Sequence, residues 1–147
     1  TPKSTEQYPE NRKTTLHVAP RHRGRLVFKR DESENYKCVA CLMCEKACPN
    51  GTIRITSEMQ QDPETGRKKR ALLDYQYDLG DCMFCQLCVN ACNFDAIKFT
   101  NDFENAVFDR SKLVLHLNEE VYKGGSLPNL IDGGADWEVG TFNTKKK

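Results

Sequence analysis

Two cysteine-rich stretches decide the fold of this chain: residues 38–49 read CVACLMCEKACP, and residues 82–93 read CMFCQLCVNACN. Both follow the pattern C-x2-C-x2-C-x3-C, and together they hold all eight cysteines of the 147-residue chain. The second stretch repeats the first at an offset of 44 residues, and the match continues further along, where Ile97 aligns with Ile53. The sequence therefore predicts an internal repeat of one cysteine loop, one short helix and one strand.

The cysteine spacing indicates an iron–sulfur protein. Three cysteines separated by two residues each lie on one tight loop, which can wrap a compact cluster and offer it three thiolates. The fourth cysteine of this pattern is known to ligate the other cluster in two-cluster ferredoxins. We therefore predict two [4Fe–4S] clusters. Cluster 1 is assigned Cys38, Cys41, Cys44 and Cys92, and cluster 2 is assigned Cys82, Cys85, Cys88 and Cys48.

Eight cysteines could also form disulfides or bind zinc. An even number of cysteines is compatible with disulfides, but thiols two residues apart suit a disulfide scaffold poorly and no secretory signal is visible. Zinc sites usually combine two separated C-x2-4-C pairs, whereas here a triplet and a fourth cysteine are repeated in full. The pattern favours iron–sulfur clusters over both.

The composition is that of a polar chain. Hydrophobic residues make up 38%, and 22 Lys and Arg residues nearly balance 21 Asp and Glu residues, for a net charge of +1. We expect no nucleic-acid partner, because no strong basic excess is present. No apolar run approaches the roughly 20 residues of a membrane-spanning helix. Membrane attachment is therefore expected to come through partner proteins.

No catalytic residue is predicted. The histidines His17, His22 and His116 are scattered, and neither a phosphate-binding glycine loop nor a Ser/His/Asp arrangement is present. The expected chemistry is electron transfer, in which the clusters do the redox work and the protein supplies ligation, orientation and electrostatics.

The predicted fold class is α+β, with a bacterial two-[4Fe–4S] ferredoxin-like core of two pseudo-symmetric halves, a hairpin insertion, and extended N- and C-terminal arms. Residue patterns predict strands at 25–29, 52–57, 71–77 and 96–100. The middle two strands form the hairpin, joined by a turn that contains Pro and Gly.

The chain is divided into three predicted regions. They are an N-terminal extended arm with a basic docking stretch (1–35), the two-[4Fe–4S] domain (36–100), and a C-terminal helix followed by an irregular arm (101–147).

The C-terminal helix is predicted for residues 109–120. Leu113, Leu117 and Val121 recur at helical spacing, and Ser111 is a candidate N-cap. The tail after this segment is rich in Gly, Asn and Asp and is expected to be irregular.

Several stretches outside the cysteines are typical of one family. Residues 19–27 read APRHRGRLV and residues 37–41 read KCVAC, and the elements YPE (8–10), FE (103–104) and FDR (108–110) accompany them. With these elements the chain resembles the two-cluster ferredoxin-like subunit of respiratory complex I, the NADH:quinone oxidoreductase (chain I type). In that family a P-R-x-R-G-R stretch precedes C-x-A-C. The resemblance covers most of residues 8–122.

The resemblance implies an electron-relay subunit of an enzyme, which carries electrons from the NADH and flavin side toward quinone. The implied partners are the iron–sulfur subunits of the peripheral arm and the quinone-site and membrane-arm subunits. In that family the basic N-terminal stretch packs against neighbouring subunits, so Arg21, Arg23 and Arg25 are expected to dock partners. The implied location is peripheral, on the cytoplasmic face of a bacterial inner membrane or on the matrix side of a mitochondrial one.

One residue departs from the family pattern, because Asn93 follows Cys92 where proline is usual. Its N–H group or side chain is hypothesised to alter the potential of the cluster that Cys92 ligates. Two other functions stay open, namely a subunit of a related membrane-bound hydrogenase and a soluble shuttle ferredoxin. A shuttle would need little beyond residues 36–100 and is usually strongly acidic, so the long arms and near-neutral charge favour the fixed subunit.

Overall fold

Short helices and small sheets alternate along the chain. The computed structural model describes residues 5–12, 15–19, 21–33, 35–61 and 66–119. In chain order the elements are β1 (Leu26–Phe28), α1 (Met43–Ala47), β2 (Ile53–Gln61), β3 (Lys68–Asp78), α2 (Leu87–Ala91), β4 (Ile97–Phe99), a 3-10 helix (Arg110–Leu113) and β5 (Val114–His116). This mixture confirms the predicted α+β class.

The strands of the described residues form two antiparallel sheets. β1 pairs with β4, and the second sheet has the order β2-β3-β5. β2 and β3 form the predicted hairpin, in which Ile53 lies opposite Tyr77. All four predicted strands are confirmed, although both hairpin strands extend well beyond their predicted bounds.

The two sheets share one buried core. Tyr75 and Tyr77 are 0% and 1% exposed, and they lie two residues apart on β3, so both side chains point to the same face of the sheet. Phe28 of β1 packs edge-on against Tyr75, with ring centroids 4.9 Å apart. Leu26 and Ile97 of the other sheet are buried in the same cluster. β3 thus directs two large phenol side chains toward the region where the cysteines lie.

Each α-helix follows a cysteine loop with an unusual backbone conformation. Leu42 (φ 64°) precedes α1 and Gln86 (φ 71°) precedes α2, and neither helix has a side-chain cap. Ala40 and Phe84, two residues earlier, also have positive φ values of 50° and 52°. Such values are uncommon for residues other than glycine, and they persist only where the surroundings hold them. The 44-residue offset of the sequence therefore recurs in the backbone.

The helix predicted for residues 109–120 is wrong. The Asp109 carboxylate, rather than Ser111, caps a single 3-10 turn by accepting the Ser111 N–H at 3.0 Å. The chain then continues as β5 along the edge of β3. Leu115 and Leu117 are both buried, since the leucines of this segment also fit the two-residue period of a strand. The edge of β3 offers backbone hydrogen bonds to this segment, and these favour the strand over the helix.

The N-terminal segment is turned where an extended arm was predicted. The Asn11 N–H donates to the Gln7 carbonyl at 3.0 Å, and the side chains of Tyr8 and Arg12 both contact the Glu104 carboxylate. The segment is therefore anchored to the chain that follows the second cysteine stretch.

The irregular arm predicted after the C-terminal helix lies outside the described residues. Within the described residues, α1 and α2 have five residues each, and no helix has the length and apolar character that a membrane crossing requires.

Gly24 lies where two backbone segments approach most closely. Its N–H donates to the Thr100 carbonyl at 2.8 Å, and a Cβ at this position would lie 1.9 Å from the Asp102 carbonyl oxygen. A backbone oxygen cannot rotate away as a side chain can, so only glycine fits. The contact fastens the chain before β1 to the chain after β4.

The substitution Gly24→Ala is expected to destabilise the protein by about 3 kcal/mol, because the added methyl group overpacks two fixed backbones. Denaturant unfolding followed by circular dichroism measures the loss. Gly66→Ala is the control: Gly66 has a φ of 65° but no atom within 4 Å of an added Cβ, so about 1 kcal/mol is expected from backbone strain alone. Equal losses in the two variants would contradict the role of Gly24.

Candidate metal centres

Four cysteines wall the first of two cavities. Its cysteines are Cys38, Cys41, Cys44 and Cys92. Three of them belong to the loop and first turn of α1, whereas the fourth follows α2 in the chain. Tyr75 of β3 forms part of the same wall.

The second cavity has the same construction. Its cysteines are Cys48, Cys82, Cys85 and Cys88. Here three cysteines come from the loop and first turn of α2, and the fourth follows α1. Tyr77, the neighbour of Tyr75 on the same face of β3, lies in this wall. The structure thus brings all eight predicted ligands together in two groups of four.

The arrangement of the thiols favours a group larger than one ion. All eight cysteines are free thiols. In the part of the chain that the structure describes, no three His, Cys, Asp or Glu side chains converge closely enough to hold a single metal ion. Four thiols that line one cavity are the donor set that a [4Fe–4S] cluster requires, whereas a structural zinc ion needs its four ligands within about 2.3 Å.

Backbone N–H groups point at several of the cysteine sulfurs. The Phe84 N–H donates to the Cys82 sulfur at 3.3 Å, and the Ala96 N–H donates to the Cys92 sulfur at 3.3 Å. Asn93, the residue after Cys92, is exposed, and its effect on the potential of the neighbouring cluster stays a prediction. Hydrogen bonds to a thiolate stabilise its negative charge. The loops are therefore built to hold sulfur in the form that binds iron.

Burial opposes that charge before any cluster is bound. It is the main reason that the pKa of Cys38 is raised to about 11 and that of Cys88 to about 12. Cys48 behaves differently: burial raises its pKa, but hydrogen bonds from Thr52, Asn50 and Gly51 outweigh that effect and lower it.

The two buried tyrosines meet the two cavities differently. The Tyr75 hydroxyl donates to the Cys44 sulfur at 3.3 Å, and burial, followed by the charge of Cys44, raises the pKa of Tyr75 well above its usual value. The Tyr77 hydroxyl is buried without a hydrogen bond of ordinary geometry, although burial and then the nearby Cys82 sulfur raise its pKa. A buried donor of this kind in the wall fits a group that carries acceptors, such as cluster sulfides.

An arginine side chain holds each cysteine loop at an equivalent carbonyl. Arg70 donates to the Ala40 carbonyl at 3.3 Å, and Arg23 donates to the Phe84 carbonyl at 3.0 Å. These carbonyls belong to the positive-φ residues that lie 44 positions apart. Arg23, predicted as a docking residue, therefore has a role within the chain.

The other two predicted docking arginines differ from each other. The Arg21 side chain is exposed. Arg25 is half-buried, and its backbone pairs with Asp102 and Thr100. The docking role of the three arginines stays a prediction.

Several cavity residues were not predicted from the sequence. They are Thr52, Ile55, Tyr75, Tyr77, Phe94 and Phe99. The alternation of Tyr75 and Tyr77 along a predicted strand was the available signal for one shared face. Nothing in the sequence indicated that this face is directed at the cysteines.

The family comparison agrees with the geometry of the two cavities. Residues 37–96, which contain every cysteine, match the family described as "4Fe-4S dicluster domain". The chain is therefore a ferredoxin-like protein that holds two [4Fe–4S] clusters.

Two bacterial relatives define the family more closely. The chain is 37% identical over 110 residues to NADH-quinone oxidoreductase subunit I 2 of Geobacter metallireducens, covering 75% of this chain and 77% of the relative. It is 37% identical over 111 residues to subunit I 1 of Koribacter versatilis, covering 76% and 68%. The chain belongs to the NADH-quinone oxidoreductase subunit I family.

The lengths of the relatives differ. Subunit I 2 of Symbiobacterium thermophilum is 38% identical over 119 residues, which cover 80% of this chain but 47% of the relative. The chain thus spans about half the length of that relative. A chain of an archaeal membrane-bound sulfane sulfur reductase is similar in structure, with a TM-score of 0.47, 24% identity, and coverage of 77% of this chain and 52% of that one.

Cluster retention is expected to weaken as pH falls, because thiols must lose protons to bind iron. The raised pKa values of Cys38 and Cys88, about 11 and 12, mean that their sulfurs hold protons tightly and favour reprotonation once an iron bond opens. An iron chelator should therefore remove iron faster as pH is lowered from about 9 to about 6. Loss of cluster absorbance with time measures the rate. A pH-independent rate would contradict this account.

Proposed function

We propose that this chain is an electron-relay subunit of NADH:quinone oxidoreductase (complex I), in which its two [4Fe–4S] clusters carry electrons from the NADH and flavin side toward quinone. One observation carries the proposal: all eight cysteines line two adjacent cavities, four to each. Membership of the subunit I family supports complex I as the assembly in which the chain acts. No observation favours the shuttle ferredoxin or the hydrogenase subunit.

The ligand sets proposed are the crossed ones. Cluster 1 takes Cys38, Cys41, Cys44 and Cys92, and cluster 2 takes Cys82, Cys85, Cys88 and Cys48. The linings of the two cavities support this assignment, because each contains the fourth cysteine of the other stretch. The chain is then two pseudo-symmetric halves, and the paired positive-φ residues 44 positions apart support that symmetry.

Bound clusters supply one-electron chemistry, and the residues of the chain prepare the sites for it. Backbone N–H groups donate to the cysteine sulfurs and stabilise their charge. Tyr75, Ile97 and Phe99 are buried beside the cavities and keep water away, which helps to set a potential. No side chain needs to exchange a proton with a substrate.

The chain is proposed to join the membrane through other subunits of the complex. These are the iron–sulfur subunits of the peripheral arm and the quinone-site and membrane-arm subunits, on the cytoplasmic or matrix side. The described residues contain no helix suited to span a membrane, which supports a peripheral position. Regions 1–35, 36–100 and 101–147 remain the proposed division of the chain, without the helix at 109–120.

The crossed assignment predicts which cysteine substitutions act alike. Cys41→Ser and Cys92→Ser should alter the same EPR signal, because both remove a ligand of cluster 1. Cys85→Ser and Cys48→Ser should alter the other signal. All four variants should strongly reduce NADH-to-quinone turnover in the assembled complex. If Cys48→Ser instead alters the signal that Cys41→Ser alters, the assignment is wrong. If turnover survives in all four, the relay function is wrong.

Docking through the basic N-terminal stretch is proposed chiefly for Arg21. Arg21 and Arg23 are both exposed, but the Arg23 side chain already donates to the Phe84 carbonyl, and Arg25 is half-buried. The substitution Arg21→Glu should reduce the amount of chain that co-purifies with the other subunits, and more so at low salt, where charge attraction is stronger. Arg67→Glu is the matched control, because Arg67 is an exposed arginine of the hairpin. Equal losses in both variants would refute a specific role for Arg21.

A further inference from the structure

We propose that the Thr52 hydroxyl raises the reduction potential of cluster 2 by donating a hydrogen bond to the Cys48 sulfur. The inference rests on the proposed function and on the crossed ligand assignment. The Thr52 Oγ1 atom lies 3.2 Å from the Cys48 sulfur. Thr52 is 6% exposed and lies in the wall of the second cavity.

The internal repeat provides the comparison. Ala96 stands 44 residues after Thr52 and lies in the wall of the first cavity. Its N–H donates to the Cys92 sulfur at 3.3 Å, just as the Thr52 N–H donates to the Cys48 sulfur at 3.4 Å. The backbone bond is thus present in both halves. The additional hydroxyl bond to the fourth cysteine is present in one half, because alanine has no donor to offer.

The tyrosine hydroxyls differ in the opposite sense: Tyr75 donates to the Cys44 sulfur of the first cavity, whereas the Tyr77 hydroxyl has no hydrogen bond of ordinary geometry. One buried tyrosine hydroxyl belongs to each cavity wall, from Tyr75 in the first and Tyr77 in the second. Each site therefore has one hydroxyl that hydrogen-bonds a cysteine sulfur, from Tyr75 in the first cavity and from Thr52 in the second.

The position of Thr52 is held on both sides. Its carbonyl accepts the Asp78 N–H at 2.9 Å, at the end of β3, while its own N–H points at Cys48. The residue stands immediately before β2, whose first residue, Ile53, is 2% exposed. These bonds fix the backbone of Thr52 and keep its hydroxyl within reach of the Cys48 sulfur.

The direction of the effect follows from the donor role. A cysteine sulfur that ligates iron has no proton, so the Thr52 hydroxyl must be the donor. Reduction adds one electron to the site and increases the negative charge on its sulfurs, which strengthens a hydrogen bond donated to them. Hydrogen bonds to the sulfurs are among the factors that set cluster potentials. The bond therefore favours the reduced form of cluster 2.

Thr52→Val tests the proposal, because valine keeps the shape of threonine and removes the hydroxyl. In the assembled complex, an EPR-monitored redox titration should show the electron distribution between clusters 2 and 1 shifting about tenfold away from cluster 2. A tenfold shift corresponds to about 59 mV for one electron. The midpoint of cluster 1 should stay in place. Thr52→Ser restores a hydroxyl and should return the cluster 2 midpoint toward its original value.

Further variants keep the test decisive. Thr52→Ala introduces the residue that the second half has at the equivalent position, Ala96. It replaces the valine variant if that variant assembles poorly, and it should also lower the cluster 2 midpoint. An unchanged cluster 2 midpoint, an equal shift of both clusters, or a serine variant as low as the valine variant would overturn the inference. Iron and sulfide analysis distinguishes failure of the Thr52 inference from failure of the proposed function. If the unaltered complex lacks the two clusters in this chain, the proposed function itself is refuted.

Discussion

Each of the two cavities needs a thiol from a distant part of the chain, and the rest of the fold is arranged to bring that thiol in. The fourth cysteine of each stretch follows a five-residue helix and lines the cavity of the other stretch. In the proposed crossed assignment, neither half completes its own set of four ligands. Because metal binding energy can act as folding energy, cluster binding can help to stabilise a chain of this polar composition.

The remaining interactions position or modulate those thiols. Arginines hold the two cysteine loops through the carbonyls of Ala40 and Phe84, and Gly24 fastens the segments on either side of the two-stranded sheet. β3 serves both cavities with one face, through two tyrosines. The halves are alike in backbone and unlike in side-chain donors. A repeat of this kind can hold two similar clusters at different potentials.

The sequence was a good guide to local structure near the cysteines and a poor one beyond them. Alternating patterns predicted the four strands because hairpin and core strands bury one face. The segment 109–120 failed because its leucines satisfy the helical and the strand period at once, and the edge of β3 decided between them. The turn at residues 8–12 depends on Glu104, which lies about ninety residues away, as the separations of the two contacts show.

By itself, the sequence indicated the metal chemistry: two C-x2-C-x2-C-x3-C stretches are the pattern of a two-cluster ferredoxin, because three thiols on one tight loop can reach a common cluster. It also carried the motifs of the subunit I family. Only the tertiary structure decided what surrounds the sulfurs. The Tyr75 hydroxyl contacts Cys44 and the Thr52 hydroxyl contacts Cys48, because β2 and β3 pack against the cysteine loops. Hydrogen bonds formed by such packing join residues distant in sequence, so no residue pattern predicts them.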